Sequence, residues 1–561
     1  MKLTGAQIMM KVLQEEGVEI IFGYPGGAVI DIFDELAKTN IRHILVRQEA
    51  CAVHAADGYA RAGSRVGVCL VTSGPGATNT VSGIASAYMD SIPVVIFTGQ
   101  VPTHLIGNDA FQEVDTVGIT RPCTKHNYLV KRTEDLARII KEAFLIASSG
   151  RPGPVLVDIP KNVSVNAIEY KAPEKINLKS YNPTYNPNIK QLQKVVSLIK
   201  AAKKPMIFAG GGVILSGAAK ELTELAHKTQ IPVTTSLMGL GGFPGTDPLW
   251  LGMIGMHGTY RANMCTGESD LLIGIGVRFD DRVTGKTDVF AAKAKIVHID
   301  IDPTSIRKNI PVTAPVVGDC KITLAKLNKL LDKEDLGDLK KKREKWLDQI
   351  QRWKDTQPLA YKQKDVIKPQ YVVEKLYELT KGKAIITTEV GQNQMWAAQY
   401  YHFDKPNHFI TSGGLGCMGF GLPAAIGAQL ACPDKLVVDV AGDGSIQMNI
   451  QEMTTAVQNG LPVKIVILNN GYLGMVRQWQ QLFFEKRYAA TCLDVAPDFV
   501  KLAEAYGAEG LRATKPEEVE AVLKKGLASK NTVIMDFVVE KEECVYPMVP
   551  AGAPVTEMLL V

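Results

Sequence analysis

Short runs of aliphatic and β-branched residues alternate with longer amphipathic or alanine-rich stretches along most of this chain, a rhythm that predicts parallel α/β layers. The early runs are His43–Val46, Val66–Thr72, Pro93–Thr98 and Pro154–Ile159. Pro205–Ala209, Leu271–Ile275 and Lys295–Asp300 follow in the middle, and Ala384–Thr387, Lys435–Val440, Pro462–Leu468 and Thr532–Asp536 towards the end. The opening residues from Met1 to Glu16 read as an amphipathic helix with Thr4 as a possible cap. Two breaks interrupt the rhythm. Residues 167–190 mix Pro, Asn and Lys without period, as a surface linker would, and residues 333–369 are crowded with charge around Lys340 to Trp346. The second break predicts a solvated helix and a connector. Three blocks remain, with no sequence repeat, although the outer two share an architecture.

The densest chemical signal lies in the third block. Asp443 and Asn470 are 27 positions apart and each directly follows an apolar run. In a strand, helix, strand unit of a parallel sheet both run-ends fall on the same edge, so a carboxylate and an amide oxygen converge on one hard cation. Ser445 is expected to open the intervening helix, whose free N–H groups favour a phosphate beside that cation. The site reads as Mg²⁺ plus a diphosphate. A Gly-Asp-Gly tripeptide alone would be an ordinary turn; the two ligands and three elements together make the pattern specific.

Glu49 stands at the junction between the run ending at Val46 and an alanine-rich stretch that includes His54, Asp57 and Arg61. A carboxyl there, dried by its neighbours, can hold a proton for a nitrogen base. The alternative is a helix-start residue favoured by the dipole. In the middle block Gly210-Gly-Gly212 follows a strand, which fits a phosphate loop or a plain turn.

Size and composition set limits on the rest. A chain of 561 residues exceeds one hydrophobic core, and 46% apolar with 22% charged residues suits a globular protein. A net charge of +5 without a basic cluster interleaved with aromatics gives no footprint for nucleic acid. The nine cysteines show no C-x-x-C spacing, which suggests free thiols in a reducing cytoplasm. No signal or transit peptide is evident at the start, and the apolar runs fall short of the ~20 residues of a membrane helix.

The motifs taken in order resemble the catalytic large subunits of acetolactate synthases, also called acetohydroxyacid synthases, among the thiamine-diphosphate enzymes. The resemblance spans nearly the whole length: Phe22 to Ala28 (FGYPGGA), Thr72 to Asn79 (TSGPGATN), Gly99 to Pro102, Asp109 to Gln112, Gly150 to Pro154, Arg278 to Gly285 (RFDDRVTG), Gly474 to Trp479 and Pro547 to Pro550. It implies an α/β fold of three doubly wound parallel-sheet domains. These would be a pyrimidine-binding domain over 1–166, a central FAD-binding domain over 190–333 and a diphosphate and Mg²⁺ domain over 368–545, before a tail at 546–561. It also implies a cytoplasmic homodimer or tetramer with active sites at the subunit interface, and a regulatory small subunit.

The implied reaction decarboxylates pyruvate on thiamine diphosphate and ligates the two-carbon carbanion to pyruvate or 2-ketobutyrate. The products are 2-acetolactate and 2-aceto-2-hydroxybutyrate, precursors of valine, leucine and isoleucine. By the same resemblance Glu49 bonds the pyrimidine N1′ and promotes its imino tautomer, while Met418 wedges beneath the cofactor. Tyr472 gives a backbone carbonyl to the Mg²⁺ held by Asp443 and Asn470. Gln392, Asn393, Gly416, Gly442, Gly444 and Ser445 complete the thiamine-diphosphate site. Arg282 would grip the second substrate's carboxylate, unless it pairs with Asp280 and Asp281; Trp479 would wall the alkyl pocket, unless it is plain core. Gln112, Phe111 and Lys161 match residues lining the channel. Arg151, Gly211, Gly212, Ser236, Leu237, His257, Gly276, Arg278, Asp300 and Asp319 match an FAD site, the flavin having no redox role.

Two residues depart from the family pattern: Cys51 replaces a small residue near Glu49, and Cys417 replaces Thr before Met418. Both are small enough to pack, and both raise the prospect of oxidation sensitivity. The rivals are pyruvate oxidase, simple 2-keto acid decarboxylases, glyoxylate carboligase, the FAD-free catabolic synthases and a non-catalytic scaffold paralogue. Glu49 disfavours glyoxylate carboligase, the Arg278 to Gly285 motif with Trp479 favours a biosynthetic ligase, and intact Glu49, Asp443 and Asn470 disfavour a scaffold.

Overall fold

The parallel sheets are buried on both faces, and that burial is written into alternate residues of each strand. The computed structural model describes residues 1–173 and 176–560. In the first domain Val95 and Phe97 enter one core while Val94 and Ile96 of the same strand enter another. Ile207 and Ala209 part from Met206 and Phe208 in the central domain, as Val438 and Val440 part from Val437 in the third. Strands with two apolar faces read as unbroken Val/Ile/Leu runs, which is why the sequence rhythm exposes them.

Three six-stranded parallel sheets result. The first has the spatial order Arg42–Leu45, Ile20–Tyr24, Gly67–Val71, Val94–Gln100, Val155–Pro160, His126–Leu129. The central sheet runs Trp250–Met253, Val233–Thr235, Pro205–Ala209, Leu271–Ile275, Lys295–Asp300, Ala314–Val317. The third runs Phe409–Ile410, Ile385–Thr388, Val437–Gly442, Lys464–Asn469, Val533–Val538, Glu509–Ala513. Each chain path moves outward from its first strand and then resumes on that strand's other side. The point of reversal opens a crevice beyond the strands' carboxyl ends, where ligands of such sheets bind.

Several sequence expectations are met and two are corrected. Thr4 caps the helix Gly5–Glu15 in a reciprocal capping box with Gln7 (Gln7 N to Thr4 Oγ1 3.3 Å, Thr4 N to Gln7 Oε1 3.1 Å). The first break is not wholly a linker: Ala167–Glu169 forms an antiparallel strand with Lys2–Thr4. The helix in the second break, Leu339–Thr356, is solvated on one side only. Leu339, Arg343, Trp346 and Ile350 recur at helical spacing and are buried, and Trp346 Nε1 donates to the Pro205 carbonyl at 3.0 Å. All nine cysteines are free, and among the described residues no helix is long and apolar enough to cross a membrane.

The first and third domains meet through two small-residue helices, Glu49–Gly63 and Gly421–Ala431. Their backbones touch. A Cβ on Gly58 would collide with the Ala424 carbonyl oxygen, and one on Gly427 with the Ala55 carbonyl oxygen. Because the clash is with main chain, no rotamer relieves it, and Gly427→Ala should destabilise the protein by about 1–3 kcal/mol. A urea unfolding midpoint equal to that of the unsubstituted protein would show that the helices have room to part.

Candidate functional site at the sheet edges

At the reversal point of the third sheet, between Ile385–Thr388 and Val437–Gly442, the chain places Asp443 directly after one strand and Asn470 after the next. Asp443 Oδ1 accepts the Asn470 N–H at 3.3 Å, so the two predicted ligands are neighbours. Asp443 Oδ2 is buried with no partner among the described residues. Burial pushes its carboxyl up to about 6, against the backbone N–H groups that pull it down. A cation would reverse that push. Asn470 Oδ1 accepts the Tyr472 N–H at 3.1 Å, which curls the loop after the strand. An oxygen set of this kind suits a hard divalent ion such as Mg²⁺.

The amide of Asn470 is oriented from behind. Its Nδ2 donates to Gln392 Oε1 at 3.1 Å, and Gln392 Nε2 donates to Gln478 Oε1 and to the Glu543 carbonyl, both at 2.9 Å. Gln392 was expected at the diphosphate, but its side-chain amide is committed to these protein partners. Its backbone N–H, at the start of the helix Gln392–Tyr400, lacks a side-chain cap and is the group left for an anion. Asn393 is tied by Nδ2 to the Glu389 and Val440 carbonyls at 3.0 and 2.8 Å. Gly474 must lack a side chain, because a Cβ would strike Gln392 Oε1.

The helix after Asp443 differs from expectation. It opens at Asp443, not Ser445, and lasts only to Ile446; after a break the chain is helical again from Ile450. Ser445 Oγ turns back to the Gly442 N–H at 3.3 Å and carbonyl at 3.2 Å, and Asn449 Nδ2 is drawn to the Gly419 carbonyl at 2.7 Å. The Ser445 bonds are local and compete with the helix ladder, while the Asn449 bond is a tertiary pull from across the site. Gly444 packs close to Leu473, and Gly416 has the open left-handed φ of +75° beside half-buried Met418.

In the first domain Glu49 heads its helix, whose N–H groups are capped by Gln48. Glu49 Oε2 accepts a bond from Asn79 Nδ2 at 2.8 Å, a partner that the sequence contained in the Thr72 to Asn79 motif but did not reveal. Gln112 holds φ +58° and its backbone leaves room for Gly74 only as glycine. Phe111 beside it is 88% exposed, while Lys161 is engaged with Asp31 at 2.9 Å. Cys51 is fully buried, and burial, with Glu452 beside it, pushes its thiol well above the usual range. The thiol form resists oxidation.

Arg282 and Trp479 come from different domains and meet, the guanidinium lying 5.8 Å over the indole. The competing ion pair is weak: Arg282 Nε is 3.8 Å from Asp281 Oδ2, with both side chains exposed. Asp280 is half-buried instead, and burial raises its carboxyl. The guanidinium keeps donors for a carboxylate.

The residues matched to FAD lie along the carboxyl edge of the central sheet. Gly211 and Gly212 follow one strand and Gly276 with Arg278 the next, on either side of the reversal point. Ser236 and Leu237 end a third strand, and Asp300 closes a fourth. Gly276 has φ +59°, and a Cβ on Gly212 would press on its Cα at 2.6 Å, so the two loops pack backbone against backbone. Arg151 crosses from the first domain to Asp302 at 3.1 Å, burial raises Asp300 to about 6, and burial lowers His257 to about 4. Asp319 is otherwise occupied: its carboxylate caps the helix Cys320–Leu331 by accepting the Ile322 N–H at 2.9 Å.

Comparison with known proteins agrees with this geometry. Residues 3–119 match the thiamine pyrophosphate enzyme N-terminal TPP binding domain, 192–327 the central domain and 389–537 the C-terminal TPP binding domain. The acetolactate synthase large subunit of Haemophilus influenzae is 51% identical over 100% of this chain and 98% of its own. The isozyme 3 large subunit of Escherichia coli is 50% identical with the same coverage. The large subunit IlvB1 of Mycobacterium tuberculosis is 49% identical over 98% of this chain and 90% of its own. The chain belongs to the acetolactate synthase large-subunit family. It is a thiamine-diphosphate-dependent carboligase, a transferase, and its condensation reaction is the family's.

A second pair of buried carboxyls sits behind the site. Burial pushes Asp439 well above the usual range and the charge of Glu389 adds to it; burial also holds Glu389 at about 8, against backbone N–H groups at the start of the helix Gly421–Ala431. A carboxyl whose folded pKa is raised stabilises the fold below its unfolded pKa near 4.5, and that stability is lost as pH rises through about 8. The urea midpoint should therefore fall between those values. Asp439→Asn removes one titrating partner and should flatten that fall; an equally steep fall in the variant would clear this pair of responsibility.

Proposed function

We propose that this family member condenses pyruvate with pyruvate or 2-ketobutyrate through Mg²⁺, thiamine diphosphate and a non-redox FAD. The observation that carries the reading is the convergence of Asp443, with its unpartnered buried oxygen, and Asn470 at the reversal point of a sheet matched to the TPP binding domain. Asp443, Asn470 and the Tyr472 carbonyl would hold Mg²⁺, and the open N–H groups at Gln392 and the Asp443 turn would meet the diphosphate. When bound, thiamine diphosphate supplies the electron sink for decarboxylation. Glu49 would hold and move a proton at its carboxyl oxygen towards the pyrimidine nitrogen, with Asn79 fixing the other oxygen. Arg282 would bind the second substrate's carboxylate, and Trp479 would wall its alkyl group, where one methylene is worth ~1–3 kcal/mol. That margin lets 2-ketobutyrate compete without excluding pyruvate.

The glycine loops at Gly212 and Gly276, with Arg278 and Asp300 on the same sheet edge and Arg151 reaching Asp302, offer the backbone and charged groups that the phosphates and ribose of a dinucleotide such as FAD would need. A homodimer or tetramer with shared active sites is supported by Leu105, Ile106 and Phe111, which stand exposed on the loop that carries Gln112.

Incubation of the purified chain with pyruvate, 2-ketobutyrate, Mg²⁺ and thiamine diphosphate should yield both acetohydroxy acids. Acetaldehyde or hydrogen peroxide in their place would overturn the assignment. Positioned proton transfer is worth ~10²–10⁴-fold, so Glu49→Gln should lose about that much kcat with an unchanged melting curve. Because the relatives are named large subunits, a small regulatory subunit is expected to raise the rate on titration; no change in rate with a homologous small subunit would refute that partner.

A further inference from the structure

The segment Gly413–Gly419, which carries Gly416 and Met418, belongs to no helix or strand. All four backbone hydrogen bonds it donates go to side-chain oxygens. Gly413 and Gly414 donate to the two oxygens of Asp90 at 3.0 and 2.7 Å, Cys417 to Ser412 Oγ at 3.0 Å, and Gly419 to Glu389 Oε2 at 2.6 Å. The other Glu389 oxygen accepts the Leu422 N–H at 3.2 Å, so one carboxylate clasps both the end of the segment and the start of the next helix.

The anchors are themselves held. Asp90 and Asp57 both pair with Arg61, at 3.0 and 2.6 Å, and Arg61 also donates to the Thr411 carbonyl at 2.9 Å. The side chains of Asp57 and Asp90 are 0% exposed and that of Arg61 is 7% exposed. Ser412 Oγ is bonded to Ser86 Oγ at 2.8 Å, and both serines are buried. Asp90, Ser86 and Arg61 belong to the first domain, Glu389 and Ser412 to the third, so the segment is suspended between domains. Charged acceptors form the stronger class of hydrogen bond, and an ion pair buried this deeply resists salt.

We propose that Asp90, Ser412 and Glu389 are positioning residues that hold Gly413–Gly419 in the shape which presents Gly416 and Met418 to the coenzyme. The inference rests on the reading of those two residues given above. A regular strand or helix would consume the segment's N–H groups in its own ladder and straighten it. Side-chain anchors leave an irregular backbone, with φ +75° at Gly416 and +86° at Gly419, that is nonetheless rigid.

Two small changes test it in the full-length chain, Ser412→Ala and Glu389→Gln. In the protein without coenzyme, amide exchange of residues 413–419 should quicken about tenfold in each, while the strand Val437–Gly442 and the helix Glu49–Gly63 keep their protection. At saturating Mg²⁺ and thiamine diphosphate, kcat should fall by about 10–10² while KM for pyruvate holds within about twofold. Ser412→Thr, which keeps the hydroxyl, should restore kcat. Loosened exchange with full kcat, exchange that rises throughout the third domain, or unchanged exchange would each overturn the proposal. Met418→Ala separates the two possible failures. Full activity in it overturns the coenzyme placement, whereas a crippled Met418→Ala beside fully active Ser412→Ala and Glu389→Gln overturns the anchors alone.

Discussion

Two helices that touch backbone to backbone hold the parts of this enzyme in relation to one another. Glu49 begins one, and the segment carrying Met418 runs directly into the other. Because Gly58 and Gly427 leave no side chain between them, the distance between the helices is set by main-chain van der Waals contact and cannot drift with rotamer choice. An adjustable side-chain interface would let the first and third domains shift by tenths of an ångström.

One geometric rule runs through all three sheets. In each sheet the chain reverses direction of growth beside its first strand, and residues at issue follow the strands bordering that reversal in two of them, Gly212 and Gly276 in the central sheet and Gln392 and Asp443 in the third, whereas Glu49 follows the outer strand Arg42–Leu45 of the first. The three crevices differ in chemistry because different residues follow equivalent strand ends. Close-packed glycine backbone follows the strands of the central sheet, whereas a carboxylate and an amide of the kind that suits a cation follow those of the third.

Much of this was legible in the sequence because doubly buried strands cannot hide their composition. Pro205–Ala209, Leu271–Ile275 and Lys295–Asp300 end where the apolar runs end. Val233–Thr235, Phe409–Ile410 and Ala314–Val317 escaped, being short or lying at a sheet's margin, where a brief run is indistinguishable from loop. The helix Leu339–Thr356 was expected, but its lysines hid the buried stripe formed by Leu339, Trp346 and Ile350. Asp443 and Asn470 were visible because strand ends fix where they point. Asn79, Gln478 and Asp90 were not, since each acts through a partner distant in sequence, and single polar residues carry no period. The intervening helix was misjudged because the pull of Asn449 on the Gly419 carbonyl is a tertiary bond without local signature.

A cleft that binds a coenzyme through bare, glycine-rich backbone creates a difficulty that the buried carboxylates resolve. Irregular backbone at depth leaves N–H groups without ladder partners, and each orphan would be destabilising by about 1–3 kcal/mol. Water could serve them only by flooding the site. Glu389 and Asp90 serve two each from fixed positions, and the start of the helix Gly421–Ala431 lies at the Glu389 carboxyl. Asp90 is neutralised by Arg61, but Glu389 has Asp439 behind it, an acid where a base would be expected. Burial raises both of these carboxyls. The raised carboxyls are thus the electrostatic counterpart of the glycines in front of them.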